Sequence, residues 1–83
     1  MPVSNTSIVE RIARVIAGRV ASINAEGDDP SAGDRVDATW RDYQEDARSI
    51  LRTLREPDEA MARAGDVQVW ERMVLAGLEA EHA

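Results

Sequence analysis

One histidine, no cysteine and sixteen carboxylates are the chemical resources of this 83-residue chain. The histidine, His82, is the penultimate residue. Chain ends fray, so the sequence predicts a solvated side chain there rather than a held catalytic one. A single imidazole so placed builds neither a Ser-His-Asp triad nor a His-rich metal site within one chain. Without cysteine there is no thiolate nucleophile, no thiolate metal site and no disulfide. No glycine-rich phosphate loop of the Walker or dinucleotide type occurs. The serines have no histidine neighbour at a stable position to activate them.

Carboxylates remain. Asp28, Asp29, Asp34 and Asp37 crowd a short stretch, and residues 26–37 carry five acids against one arginine, a net of −4. A calcium loop needs acids at alternating positions, glycine at the sixth and glutamate at the twelfth. Counted from Asp28, the second position is Asp29 and the third is Pro30, so the frame fails. Asp42, Glu45 and Asp46 form a second acidic group, but no histidine follows at i+3 as di-metal bundles require. The expectation is a protein with no enzymatic activity, no metal and no cofactor.

The whole chain carries ten basic residues, all arginine, for a net charge of −6. Nucleic-acid binding needs a basic patch, and residues 56–83 hold seven acids and two arginines, which disfavours a recognition helix facing phosphates. An acidic rigid surface can instead be steered into a basic groove of a protein partner. Trp40 and Trp70 have two readings. Each can pack one face in the core with its indole N–H at the rim, or serve as an interface anchor, since Trp is enriched at binding hot spots. Met61 and Met73 read more simply as core filler.

These residues sit on helices. Ser7 with Glu10 three residues later fits a capping box, and Ile8, Ile12, Val15, Ile16, Val20 and Ile23 recur at helical spacing. Glu10 and Arg14 make a favourable i, i+4 pair. Gly18 is either a tolerated defect or a point where another helix comes close. Gly27, Pro30 and Gly33 mark residues 25–36 as an acidic, flexible loop, long for a compact bundle. Asp37 or Thr39 can cap a second helix, in which Trp40, Tyr43, Ala47, Ile50, Leu51 and Leu54 share a face. Pro57 ends that helix and opens a short third one, Gly65 closes it, and Asp66 caps the last. Helices are thus predicted near 8–24, 38–55, 58–64 and 67–80. Residues 1–83 form one domain, an all-α, small three-to-four-helix bundle, with Ile12, Ile16, Tyr43, Ile50, Leu54, Trp70 and Val74 buried.

The first residues, Met1-Pro2-Val3-Ser4-Asn5, show neither a positive n-region nor an apolar h-region. Glu10, Arg11, Arg14 and Arg19 interrupt the longest apolar stretch, which is therefore not expected to span a bilayer. A cytoplasmic location is the expectation. A short chain without staples often gains stability from its own oligomer, and Gly18 and Gly77 would let helices of two copies approach closely, so a homodimer is expected.

Across residues 38–78, the run Trp40-Arg41-Asp42-Tyr43, Ala47-Arg48, Leu51, Leu54-Arg55-Glu56-Pro57, Met61, Ala64-Gly65 and Trp70-Glu71-Arg72-Met73-Val74 resembles short helical proteins of GC-rich proteobacteria and of their phages and prophages. The resemblance implies a mobile-element protein and supplies no activity or functional residue. Small phage proteins that look like this often oppose host defences such as CRISPR or restriction. The leading expectation is a small acidic, protein-binding inhibitor of a host defence system, with a nucleic-acid-binding host protein as partner. It would engage that partner through Asp28, Asp29, Asp34, Asp37, Trp40 and Trp70. The alternative is a structural or accessory subunit, which predicts an exposed apolar patch on the isolated chain.

Overall fold

The computed structural model describes residues 3–24 and 32–80. Five α-helices and one 3-10 turn occur among these residues: α1 (Ile8–Asn24), α2 (Ala32–Thr39), the turn Trp40–Tyr43, α3 (Gln44–Leu54), α4 (Glu59–Ala64) and α5 (Val67–Ala80). No strand occurs among them. The fold is the all-α bundle expected from the periodicities, and α1, α4 and α5 start and stop within a residue of their predicted limits.

Their caps are the physical reason. The Ser7 hydroxyl oxygen accepts from the Glu10 backbone N–H at 3.1 Å, Asp58 accepts from Met61 N–H at 2.9 Å, and Asp66 accepts from Gln68 and Val69 N–H at 2.9 and 3.2 Å. Each satisfies donors that a first helical turn leaves unpaired. The capping box at Ser7 is half realised, because the Glu10 carboxylate turns to Arg14 at 2.7 Å instead of reaching back. At α4 the N-cap is Asp58, so Pro57 precedes the helix rather than opening it. Gly65 follows α4 in an extended conformation, φ −163° and ψ −165°, so its use there is not a left-handed cap.

Two expectations are corrected in the middle of the chain. Residues 32–36, assigned to the acidic loop, are helical as part of α2. The periodicity missed this helix because it has one large apolar residue. Val36 packs against the core cluster, and its Cγ2 lies 3.7 Å from where a Cβ on Gly18 would be. Tertiary contact with α1, not intrinsic pattern, carries α2. Asp37, expected as a cap, consequently lies inside α2, and Thr39, the last residue of α2, stands at the N-cap position of the 3-10 turn without a side-chain cap bond. The Thr39 hydroxyl donates to the Arg35 carbonyl at 2.6 Å, and Asp37 pairs with Arg14. The predicted helix 38–55 is therefore broken into the end of α2, the 3-10 turn and α3. The rest of the expected loop, residues 25–31, lies outside the described residues, as does His82.

The core also differs from expectation. α1 is the central element and packs against α2, the 3-10 turn, α3 and α5. The buried hydrophobic residues are Val9, Ala13, Ala17, Ala21, Trp40, Ala47, Leu51 and Val74. Of the seven residues expected inside, Val74 is buried, and Ile12, Ile16, Tyr43 and Trp70 are half-buried. Ile50 and Leu54 are 41% and 40% exposed. On α1, neighbours contact the small Val9-Ala13-Ala17-Ala21 row, four residues apart, because a row of short side chains admits close packing. The isoleucines flank that seam rather than fill it. Among the described residues half of the buried ones are alanine, and Val9 is the largest fully buried side chain, so the core they form is thin.

Candidate docking surface

The geometry separates the residues singled out from the sequence into two places. Asp37 and Trp40 meet around Arg14. The Arg14 guanidinium donates to Asp37 Oδ1 at 2.6 Å and to Glu10 Oε2 at 2.7 Å, and it lies over the Trp40 ring with Cζ 5.3 Å from the centroid. Arg41 covers the same ring at 4.6 Å. The hydrogen bond to Asp37, then that to Glu10, holds the Arg14 guanidinium above its ordinary pKa. Such cation–π and charge-assisted contacts tie α1 to α2 and the 3-10 turn. Trp40 is 8% exposed, so of its two readings the core one applies. Asp34 is exposed in the first turn of α2, where a carboxylate suits the helix dipole. Asp28 and Asp29 lie outside the described residues.

Beside this node is a polar cleft of about 370 Å³ lined by Asn5, Thr6, Ser7, Glu10, Trp40, Gln44 and Ala80. Its carboxylate, Glu10, is already bonded to Arg14. Among the described residues no group of three histidine, cysteine or acidic side chains is placed to hold a metal ion. No helix among them is long and apolar enough to cross a membrane.

Trp70 marks the second place. Its indole Nε1 donates to the Leu54 carbonyl at 2.7 Å. Leu54 is the last residue of α3, so the bond satisfies one of the carbonyls a helix end leaves open and pins α5 against α3. From there α5 turns Val74 and Gly77 inward. Val74 is 5% exposed, and a Cβ on Gly77 would come within 2.7 Å of Ile8 Cγ2, so α5 and the start of α1 touch almost backbone to side chain. Gly77 is thus used for a close approach inside one chain, whereas a Cβ at Gly18 would only reach ordinary contact with Val36 Cγ2 at 3.7 Å, so nothing there requires a glycine.

The opposite part of α5 is apolar and uncovered. Val69 is 39% and Met73 64% exposed. α4 lies beside it and buries none of its own residues. Between them runs a groove of about 350 Å³ lined by Pro57, Met61, Ala64, Gly65, Asp66, Val67, Val69, Trp70 and Met73. Met61 and Met73, read from the sequence as core filler, stand on this surface instead. For Met73 the reason is geometric, since α5 is apolar over more of its circumference than α1 and α3 can cover; Met61 stands out because α4 buries none of its residues. Flexible thioether side chains suit a surface that adapts to an apolar partner. The sequence signal was present in α5, where Gln68, Glu71, Arg72 and Glu79 are the polar residues among fourteen.

Comparison with protein-family models, with curated proteins and with solved structures finds nothing that matches this chain.

Proposed function

We propose that this chain is a non-enzymatic protein-binding protein, and that its partner docks on the apolar surface of α4 and α5. The observation that carries the reading is the groove walled by Met61, Val67, Val69, Trp70 and Met73 on a chain whose own core is thin. Exposed apolar surface that is contiguous and concave is the usual mark of a protein docking site. The reading moves the contact away from the acidic segment. Asp37 is already paired with Arg14, and Trp40 is buried, which leaves Trp70 as the sequence-predicted anchor in position to touch a partner.

An accessory subunit that completes a larger protein's packing is favoured by the uncovered face. The inhibitor of a host defence such as CRISPR, encoded by a phage or prophage, is supported by the net charge of −6 and by the resemblance of residues 38–78. Affinity capture from a GC-rich proteobacterial host compares three baits: the parent chain, Met73→Glu and Asp34→Arg. The docking reading expects one specific protein to be retained by the parent and by Asp34→Arg and lost with Met73→Glu, with little dependence on salt. Loss with Asp34→Arg and retention with Met73→Glu, together with release in moderate salt, would instead assign the contact to the acidic surface and overturn the reading.

A further inference from the structure

We infer that the occupant of the outer face of α5 is α5 of a second copy of this chain, laid antiparallel across it. The inference rests on reading the α4–α5 surface as a docking face, and it assigns the α5 side of that surface to a second copy, leaving the α4 wall of the groove at Met61 and Ala64 for a different protein.

The first observation is the width of the apolar arc. At 3.6 residues per turn, Val67, Val69, Trp70, Met73, Val74, Ala76, Gly77, Leu78 and Ala80 cover an arc of about 200°. A surface helix of a globular protein needs an apolar stripe of about 100°. Trp70, Val74, Gly77 and Leu78 form the half turned to α1 and α3. Val69, Met73, Ala76 and Ala80 form the other half, and all four are exposed. Their spacing of four, three and four residues is the a/d spacing of a helix–helix seam. The two alanines at its C-terminal end admit close approach of another helix, opposite the larger Val69 and Met73.

The second observation fixes the orientation. Arg72 and Glu79, both exposed, flank the seam on the same side, seven residues apart. In an antiparallel pair of identical helices the two-fold axis falls between Met73 and Ala76. Met73 then faces Ala76 of the other copy, and Val69 faces its Ala80, large against small at each layer. Arg72 comes opposite Glu79 of the other copy, and the symmetry makes that ion pair twice. A parallel pair gives neither match: Met73 would face Met73, and Arg72 would lie across from Gly77. One self-complementary patch meeting its own copy is what a closed two-fold dimer requires.

Sedimentation of the full chain, with helical circular dichroism on each variant, tests this. The parent is expected to sediment as a dimer at high micromolar concentration. Met73→Glu is expected to be a helical monomer, because Met73 is 64% exposed and its replacement leaves the core intact. Arg72→Glu and Glu79→Arg should each weaken self-association by roughly five- to thirtyfold, since each turns two attractive rim contacts into repulsive ones. The two changes combined should restore it. A double variant no better than the singles overturns the antiparallel pairing. A parent chain that stays monomeric while binding an apolar dye that Met73→Glu abolishes overturns the self-pairing and leaves the face open to another protein. A monomer that binds no such dye overturns both this inference and the docking reading.

Discussion

Gly18 and Gly77 both lie within helices, yet the same substitution is expected to have opposite signs at the two positions. Replacing glycine by alanine in a helix interior gains about 0.8–1.0 kcal/mol from backbone entropy. At Gly18 the new Cβ would meet Val36 Cγ2 at 3.7 Å, ordinary van der Waals contact, so the gain stands unopposed. Gly18→Ala should stabilise the chain by about 1 kcal/mol, or raise its thermal midpoint by roughly 4–8 °C for a domain of this size. At Gly77 the Cβ would meet Ile8 Cγ2 at 2.7 Å and Ile8 Cβ at 3.9 Å. Ile8 is β-branched and stiff about χ1, and its Cγ2 lies one bond from the Cβ, so the methyl cannot swing aside as a long side chain would. Overpacking of this kind costs about 1–3 kcal/mol. It exceeds a propensity gain that is already reduced near the end of α5, and Gly77→Ala should destabilise by about 1 kcal/mol.

The assay is urea unfolding followed by the helical dichroism signal, at one fixed protein concentration, because self-association would make stability depend on concentration. A cycle with Ile8→Ala isolates the contact. In that background the obstructing Cγ2 is gone, and Gly77→Ala should become stabilising, with a coupling of roughly 1–3 kcal/mol between the two sites. If Gly77→Ala stabilises the parent chain as much as Gly18→Ala does, α5 does not approach Ile8, and the docking of α5 on α1 described above is wrong.

Three further outcomes follow from the packing. Leu51 is 3% exposed and Leu54 40%, so Leu51→Ala should cost roughly 2–5 kcal/mol and Leu54→Ala markedly less; equal losses in denaturant midpoint would contradict the assigned face of α3. Trp70→Phe removes the indole donor to the Leu54 carbonyl while keeping most of the ring, and should cost about 1 kcal/mol in the same measurement. Asp66→Ala removes the acceptor for two N–H groups of α5 and should cost about 0.5–2 kcal/mol, whereas Asp66→Asn should cost little.

Helix existence and most limits were legible in the sequence because they depend on local chemistry. Ser7 and Asp66 cap where the sequence said a cap should be, and no long-range knowledge was needed. α2 was not legible, because its support comes from packing against α1, with Val36 placed on the core cluster by residues distant in sequence. Arg14 shows the same limit: its bond to Glu10 is a helix-spacing pair readable in one dimension, while its bond to Asp37 and its place over Trp40 depend on where α2 lands. Asp37 therefore read as part of a free acidic surface when it is half of a structural ion pair.

The core was misread for a related reason, and the error leads to the docking surface. Periodicity identifies an apolar face but does not say which line along that face another helix will follow. On α1, packing follows the alanine row, so Val15 and Ile23 are left 66% and 70% exposed. On α5, packing follows Trp70, Val74 and Gly77, which leaves Val69 and Met73 outside. Alanine-lined contacts let helices come close but bury little area per residue, at about 25 cal/mol per Å² of apolar surface. A chain that spends its close contacts on alanine and leaves methionine, valine and leucine at the rim has more apolar surface than it can cover alone. A helix laid on the Val69–Met73–Ala76–Ala80 line would cover the part of that surface that no described element of this chain covers.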